Sequence, residues 1–196
     1  APNYRKALGA HWQHSFMSWL DFSSTPNPDQ AVVHLVDGRD VLFQYSTTSG
    51  GYDWYTGQEG AHVDYLRQST TSPFNWELRT LTGEVFVYNW SSPVGKLIEI
   101  RDSLATANKL TLTYNGSGLL DKVTDASGKK QLVFTYTRDL LTEVVMQTVE
   151  GGTPTTRIDV DFVYTSSNPT TMKIGGVNRQ SMTYSSGYLT LLEDAD

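Results

Sequence analysis

Two parts of the chain share one design: LIEIRD at residues 97–102 is followed by LTLTY at 110–114, and LDKVTD at 120–125 is followed by LVFTY at 132–136. In each segment apolar residues alternate with polar or hydroxylated ones. Because successive side chains of a strand point to opposite faces, this alternation predicts β-strands with one apolar face. The two pairs of segments therefore predict an all-β fold.

A tyrosine ends five alternating segments. They are Tyr88, Tyr114, Tyr136, Tyr164 and Tyr184, and by subtraction of these positions the intervals run from 20 to 28 residues. A period in this range indicates a repeat architecture, in which one unit cannot bury its apolar face without its neighbours. We therefore predict a single curved antiparallel sheet of repeated β-hairpins.

Turn chemistry separates the predicted strands. Asp37-Gly38 lies between alternating segments at 33–35 and 41–45, and Thr82-Gly83 lies between residues 76–81 and 85–88. Asp-Gly between such segments is a strong hairpin signal, because Gly adopts positive φ without strain. Further strands are predicted at residues 97–101, 109–114, 120–124, 131–136, 140–149, 157–164, 171–174 and 179–184.

The 196 residues predict one domain with two sub-regions. Residues 1–93 are less regular and richer in Trp, His and Pro, whereas residues 94–196 carry the regular hairpin pattern. We therefore expect an irregular N-terminal β region with an aromatic loop, continuous with a C-terminal region of hairpin repeats.

Composition argues against several classes of protein. The net charge is −6, and no basic stripe of the kind that phosphate binding needs is present, so we expect no nucleic-acid partner. The absence of Cys excludes disulfides and thiol chemistry. No stretch approaches the ~18 apolar residues of a membrane span, so we expect no membrane span. The first residues lack a basic segment followed by an apolar one, so we expect no signal peptide among them.

Several short motifs resemble bacterial Rhs/YD-repeat proteins. LGAHWQHSF at 8–16 is similar to the Gly-x-x-Trp-x-x-Ser motif that precedes the repeats, and DGRDVLF at 37–43 is similar to their Asp-Gly-Arg hairpin. Residues 95–102 and 120–136 resemble the body of the repeat. The Tyr-Asp pair that names the repeat is not kept, since Tyr114 is followed by Asn115.

The resemblance implies a fold, a role and a location. It implies a YD-repeat-like β-spiral fragment, a non-catalytic structural or interaction module of the shell of a secreted or cell-surface bacterial protein. Such shells often enclose a toxin. It also implies partners: other segments of a larger parent protein, or self-association edge to edge, since open sheet edges expose unpaired backbone. We expect no cofactor and no catalysis.

One segment outside the repeats suggests a binding site. Residues 50–57 carry Tyr52, Trp54 and Tyr55 between glycines, and we interpret them as a loop. Three rings so close together could form a stacking platform for a sugar ring or a partner's side chain. The alternative is that they plug the open end of the sheet, as repeat proteins require. A carbohydrate-binding or adhesin module is therefore the second functional hypothesis.

Metal and hydrolase chemistry have weaker support. His11 and His14 have a ligand-like spacing, but zinc needs three or four ligands, and His34 and His62 have no matching spacing. Glycoside hydrolysis needs two carboxylates about 5–10 Å apart, and no pair among the 21 acidic residues stands out. We therefore expect no metal site, and a hydrolase is the third hypothesis.

Overall fold

The computed structural model describes residues 14–22, 28–58, 63–91, 93–186 and 188–194. In these residues the chain forms antiparallel strands and no helix, so the predicted all-β class is confirmed. The sixteen strands are β1 (Trp19–Phe22), β2 (Gln30–His34), β3 (Asp40–Ser49), β4 (Tyr52–Gly57), β5 (Val63–Ser69), β6 (Trp76–Thr80), β7 (Glu84–Tyr88), β8 (Val94–Asp102), β9 (Lys109–Tyr114), β10 (Leu120–Asp125), β11 (Lys130–Thr137), β12 (Leu140–Glu150), β13 (Thr153–Thr165), β14 (Asn168–Ile174), β15 (Val177–Ser185) and β16 (Tyr188–Asp194).

The strands follow chain order in the sheet, and the chain divides into two compact units. The first comprises Ser15–Thr111, and the second contains Leu112 onwards together with His14. The division falls within β9, later along the chain than the change in composition near Pro93. None of the described residues forms a helix with the length and apolar character that a membrane crossing needs.

The first unit closes into a barrel of eight strands. Besides its pairing with β2, β1 pairs antiparallel with β8, and Leu20 lies opposite Gly95 at this seam. A Cβ atom at position 95 would lie 2.9 Å from the backbone oxygen of Asn89 and 3.4 Å from the Cβ atoms of Leu20 and Tyr88. Only glycine therefore lets the two strands approach this closely. The sequence predicted a single curved antiparallel sheet, and closure of its first eight strands into a barrel was not predicted.

Large side chains fill the interior of the barrel. Leu66, Leu78 and Phe86 form one cross-strand row, and Gln68, Trp76 and Tyr88 form the next. The side chains that are essentially inaccessible to solvent include Trp76, Tyr88, Phe43, Leu20, Leu66 and Leu78. Trp76 has no exposure to solvent inside the barrel, and Trp19 is 8% exposed.

The recurring tyrosines occupy equivalent places in the hairpins. Each ends, or nearly ends, an odd-numbered strand from β7 to β15. A shift in strand register directly precedes Tyr88, Tyr136, Tyr164 and Tyr184. Such bulges bend a strand and increase its twist. At four of the five tyrosines the hairpin therefore contains a bulge.

The second unit, by contrast, has an exposed last strand. Its buried apolar residues come from its first strands and from β15, and they are Leu112, Leu119, Leu120, Val123, Phe134, Leu141, Val145 and Met182. All seven residues of β16 are exposed. Beyond its pairing with β15, no other described strand pairs with β16.

Candidate functional site

The three aromatic residues predicted to lie in a loop instead belong to a strand. Only Gly50 and Gly51, with φ of 61° and 81°, form the turn, and β4 begins at Tyr52. The loop prediction for residues 50–57 was therefore wrong. The alternation was hidden because Asp53, a residue that usually faces water, is fully buried inside the barrel.

The alternation along β4 separates the three rings. Tyr52 and Trp54 are half-buried on the outer face. Tyr55 is only 3% exposed, and its ring tilts against Trp76 with centroids 4.9 Å apart. The structure therefore brings Tyr52 and Trp54 together on the surface and places Tyr55 in the barrel core, so the three rings do not form one platform.

On the outer face the side chain of Arg67 lies against three aromatic rings. The guanidinium carbon of Arg67 lies 3.9 Å from the ring centroid of Tyr52, 5.4 Å from that of Trp54 and 5.1 Å from that of Tyr65. Cation–π contacts of this kind contribute about 0.5–1 kcal/mol at exposed sites. We call Tyr52, Trp54, Tyr65 and Arg67 the Arg67 cluster.

The positive charge of this cluster is already paired. Arg67 donates from Nε and Nη2 to Oε2 of Glu77, at 2.9 and 2.6 Å. The other oxygen of Glu77 accepts a hydrogen bond from Nη2 of Arg101 at 2.7 Å. The Arg67 cluster therefore presents aromatic rings rather than an uncompensated cation to a ligand.

The charged side chains Arg67, Glu77 and Arg101 form a network that continues to β9. Glu99 accepts hydrogen bonds from Arg101 at 2.7 Å and from Lys109 at 2.8 Å. Burial alone would raise the pKa of Glu99, but these two cations hold it below its ordinary value. Val87 lies in register between Glu77 and Glu99 and is only 5% exposed. The charged side chains thus cover an apolar strip on the outside of the barrel.

An open groove lies beside Trp54. Its volume is about 600 Å³, within the range of about 300–1,000 Å³ common for small-molecule sites. The buried rings of Phe43 and Tyr55 contribute to its lining. Gly57 and the apolar residues Val63 and Leu81 also line the groove. The other lining residues are half-buried aromatic rings and exposed polar side chains, namely Trp54, Tyr65, Ser46, Thr56, Gln58 and Asp64.

Two polar residues lie opposite each other inside the barrel. Asp53 and Gln68 are paired in register and are 0% and 1% exposed. Thr48 donates to Oδ1 of Asp53, while Oδ2 of Asp53 and Oε1 of Gln68 accept no hydrogen bond from the described residues. Burial raises the pKa of the nearby Tyr55 phenol, and the charge of Asp53 raises it further. Tyr55 therefore remains neutral.

His34 joins three strands on the outer face. Its Nδ1 lies 2.6 Å from Oδ1 of Asp40 on β3, and its Nε2 lies 3.0 Å from Oδ2 of Asp21 on β1. The ring also stacks on Trp19 with centroids 4.3 Å apart. Since both ring nitrogens are engaged by carboxylates, His34 clamps β1 to its neighbours and has no nitrogen left for a substrate.

Metal ligands do not assemble in the part of the chain that is described: it contains no group of three His, Cys, Asp or Glu side chains suited to an ion. His11 and His62 lie outside these residues. The ring of His14 tilts against Phe134 with centroids 5.6 Å apart.

Sequence reasoning missed the partners of Trp54. Tyr65 and Arg67 are alternate residues of β5, facing outward beside β4, and Glu77 follows on β6. The period-two pattern of residues 63–69 places Tyr65 and Arg67 on one face of β5. It shows that they lie beside Trp54 only once β4 is known to be the neighbouring strand.

Comparison with known proteins gives no match, either to a protein-family model or to a curated protein at significant similarity. Assignment to the Rhs/YD-repeat class therefore remains a prediction from the residues.

Proposed function

We propose that this chain is a non-catalytic structural and interaction module, comparable to part of a YD-repeat shell of a secreted or cell-surface bacterial protein. The observation that carries the proposal is the bulge before the tyrosine of successive hairpins, at Tyr136, Tyr164 and Tyr184 in the second unit. Because each bulge adds bend and twist, a repeat that contains one suits a sheet that curves around a cavity.

The interacting surface in this proposal is the edge of β16 that no described strand covers. Unpaired strand edges are templates for another strand. The exposed apolar residues of β16 include Leu189, Leu191 and Leu192, which are 42–48% exposed. In a parent protein this edge would pair with the next segment, and in the isolated chain it would pair with a second copy.

The charges of β16 permit such self-pairing. In an antiparallel pair centred on Leu191, the acidic residues 193–194 of one copy would lie opposite the uncharged residues 188–189 of the other. Like charges directly opposite each other destabilise a strand pair, and this register avoids them.

The test is the oligomeric state of the chain by size-exclusion chromatography with light scattering. We expect mass to rise with concentration, and a Leu191→Lys variant to shift the equilibrium towards monomer because an edge lysine opposes pairing. Leu104→Lys is the matched control, since Leu104 is 93% exposed and lies outside the strands. A wild-type chain that stays monomeric at high concentration would rule out edge pairing.

A carbohydrate-binding or adhesin module is the second candidate. The observation that favours it is the groove beside Trp54, with a second aromatic ring, Tyr65, in its wall. Aromatic rings pack against the apolar face of a sugar. Tyr52 does not line this groove, and Tyr55 contributes only as a buried ring. A glycan array probed with the wild type and with Trp54→Ala tests this function, and binding to no glycan on the array would exclude it.

A further inference from the structure

We propose that the groove beside Trp54 holds an uncharged hexose ring, whose apolar face packs on Trp54 with Tyr65 at its edge and whose hydroxyls bond to Thr56, Gln58 and Asp64. The inference rests on the second proposed function, carbohydrate binding, and adds the position and the chemical class of the sugar.

The aromatic wall is fixed before any ligand arrives. Nε1 of Trp54 donates to the backbone oxygen of Ser49 at 3.1 Å. The indole also meets Tyr65 edge to face, with centroids 5.2 Å apart, and Arg67 lies against both rings. Little side-chain freedom is left for a ligand to restrict, which favours binding by a small molecule with few contacts.

The polar side chains of the groove match the hydroxyls of a sugar. Thr56 and Gln58 offer both donors and acceptors, and Asp64 offers a carboxylate. Oδ2 of Asp64 lies 3.4 Å from Nη1 of Arg79, and the carboxylate remains 46% exposed. It can therefore accept hydrogen bonds from neighbouring hydroxyls, and charge-assisted bonds of this kind are the stronger ones.

The charge of the lining selects against acidic sugars. The described lining residues include one carboxylate, Asp64, and no Lys, Arg or His. A uronic acid bound there would bring a second negative charge close to Asp64, whose neighbouring cation Arg79 is already paired with the Asp64 carboxylate at 3.4 Å, and like charges at short range repel. The groove should therefore prefer neutral hexoses to their uronic acid counterparts.

The volume is consistent with a short ligand. About 600 Å³ lies in the range of small-molecule pockets and leaves the site open to solvent. We therefore expect weak binding of a single ring, with Kd on the order of 1 mM, and tighter binding of a short oligosaccharide whose next residue extends along the groove.

The experiment is ligand-observed NMR on the full chain with methyl glucoside, methyl galactoside and methyl mannoside, and with glucuronic acid and galacturonic acid as acidic counterparts. We expect at least one neutral hexoside to bind and its acidic counterpart to bind at least tenfold more weakly. Trp54→Ala and the isosteric Asp64→Asn should each weaken binding about tenfold or more. Tyr52→Ala should change it less than twofold, since Tyr52 lies outside the groove.

The outcomes separate this inference from the function on which it rests. If neither these sugars nor an oligosaccharide array gives binding, carbohydrate recognition itself fails. If a sugar binds but Trp54→Ala and Asp64→Asn leave its affinity unchanged, the function stands and the groove assignment is overturned. Loss of binding in Tyr52→Ala alone would place the sugar on the Arg67 cluster instead, and stronger binding of a uronic acid would also overturn the inference. Near-ultraviolet circular dichroism of each variant shows whether its fold is retained.

Discussion

The barrel and the C-terminal sheet are built from the same hairpins but bury their apolar residues differently. In the first unit β1 pairs with β8, so the inner face becomes a closed core in which Leu66 and Leu78 have no exposure to solvent. The second unit ends at β16, where Leu191 is 46% exposed. Alternation therefore specifies strands equally well in both units, whereas one pairing between distant strands decides whether a core is enclosed.

The largest expected effect comes from truncating a buried leucine of the barrel, compared with truncating an exposed leucine of the second unit. Leu78→Ala should destabilise the barrel by about 2–5 kcal/mol, because it leaves a cavity in a closed core. Leu191→Ala should cost less than about 0.5 kcal/mol, as is usual for exposed positions. Denaturant unfolding followed by Trp fluorescence measures the first effect, since four of the five Trp residues lie within residues 15–111. Equal losses of stability in the two variants would show that Leu78 is no better buried in solution than Leu191.

A smaller loss of stability should come from adding a single methyl group at the seam between β1 and β8. Gly95→Ala forces the new Cβ against the backbone oxygen of Asn89 at 2.9 Å, and overpacking of this kind costs about 1–3 kcal/mol. Gly116→Ala is the matched control, because a Cβ there meets no atom within 4 Å.

Hydrogen exchange read by mass spectrometry locates the effect of the seam variant. We expect faster exchange in β1 and β8 of Gly95→Ala and no change in β12 to β14. Unchanged protection of β1 would mean that the barrel is not closed at this seam in solution.

Acid should affect the second unit through His14. Burial lowers the pKa of His14 to about 4, compared with 6.5 for the ordinary side chain. The folded state therefore favours the neutral ring, and its stabilising contribution is complete above pH 6.5 and lost as the pH falls towards 4. The loss should reach about 2 kcal/mol at pH 5 and increase further towards pH 4. Comparison of urea unfolding of the wild type and His14→Gln at pH 7 and pH 4.5 checks this, and an identical pH dependence in both would contradict it.

The smallest effect should come from one repeated tyrosine. Oη of Tyr164 donates to the backbone oxygen of Leu141 at 2.7 Å. Tyr164→Phe removes this bond and should cost about 0.5–1.5 kcal/mol. Tyr52→Phe is the comparison, because the Tyr52 hydroxyl forms no hydrogen bond with the described residues, and its loss should cost less than about 0.5 kcal/mol. Equal costs for the two variants would mean that the repeated tyrosines do not tie adjacent hairpins together.

The local part of the fold follows from the sequence. The hairpin predicted at Asp37-Gly38 is present, with Gly38 at φ 85°, and the one at Thr82-Gly83 joins β6 to β7. The strands predicted after residue 96 correspond to β8 to β15. These elements were predictable because each depends on alternation and turn residues within about ten positions.

Barrel closure could not be predicted in the same way. β1 has only four residues, WLDF, with one polar position, which is too short for a clear period. Its partner β8 lies far along the chain, and no residue pattern in either strand predicts that the two strands pair. Gly95 looks like an ordinary turn former in the sequence, and only its contacts show that it permits close approach at the seam.

The candidate site was half predictable. Trp54 was identified from composition, because aromatic residues near glycines are uncommon and conspicuous. Tyr65 and Asp64 were missed, since they reach the groove only through the pairing of β4 with β5. The place of Tyr55 inside the barrel could not be predicted, because it depends on the burial of Asp53, which opposes the usual preference of a carboxylate.

The seam between β1 and β8 also constrains the order in which this chain can fold. Leu20 and Gly95 are 75 positions apart, whereas other neighbouring strands of the barrel are joined by short turns or loops. Contacts so distant in sequence form late and slow down folding. During synthesis at about 5–20 residues per second, β1 would wait several seconds for β8 to emerge. Throughout that interval the newly made chain would expose the edge of β1, so β1 is the barrel strand that would most need protection during synthesis.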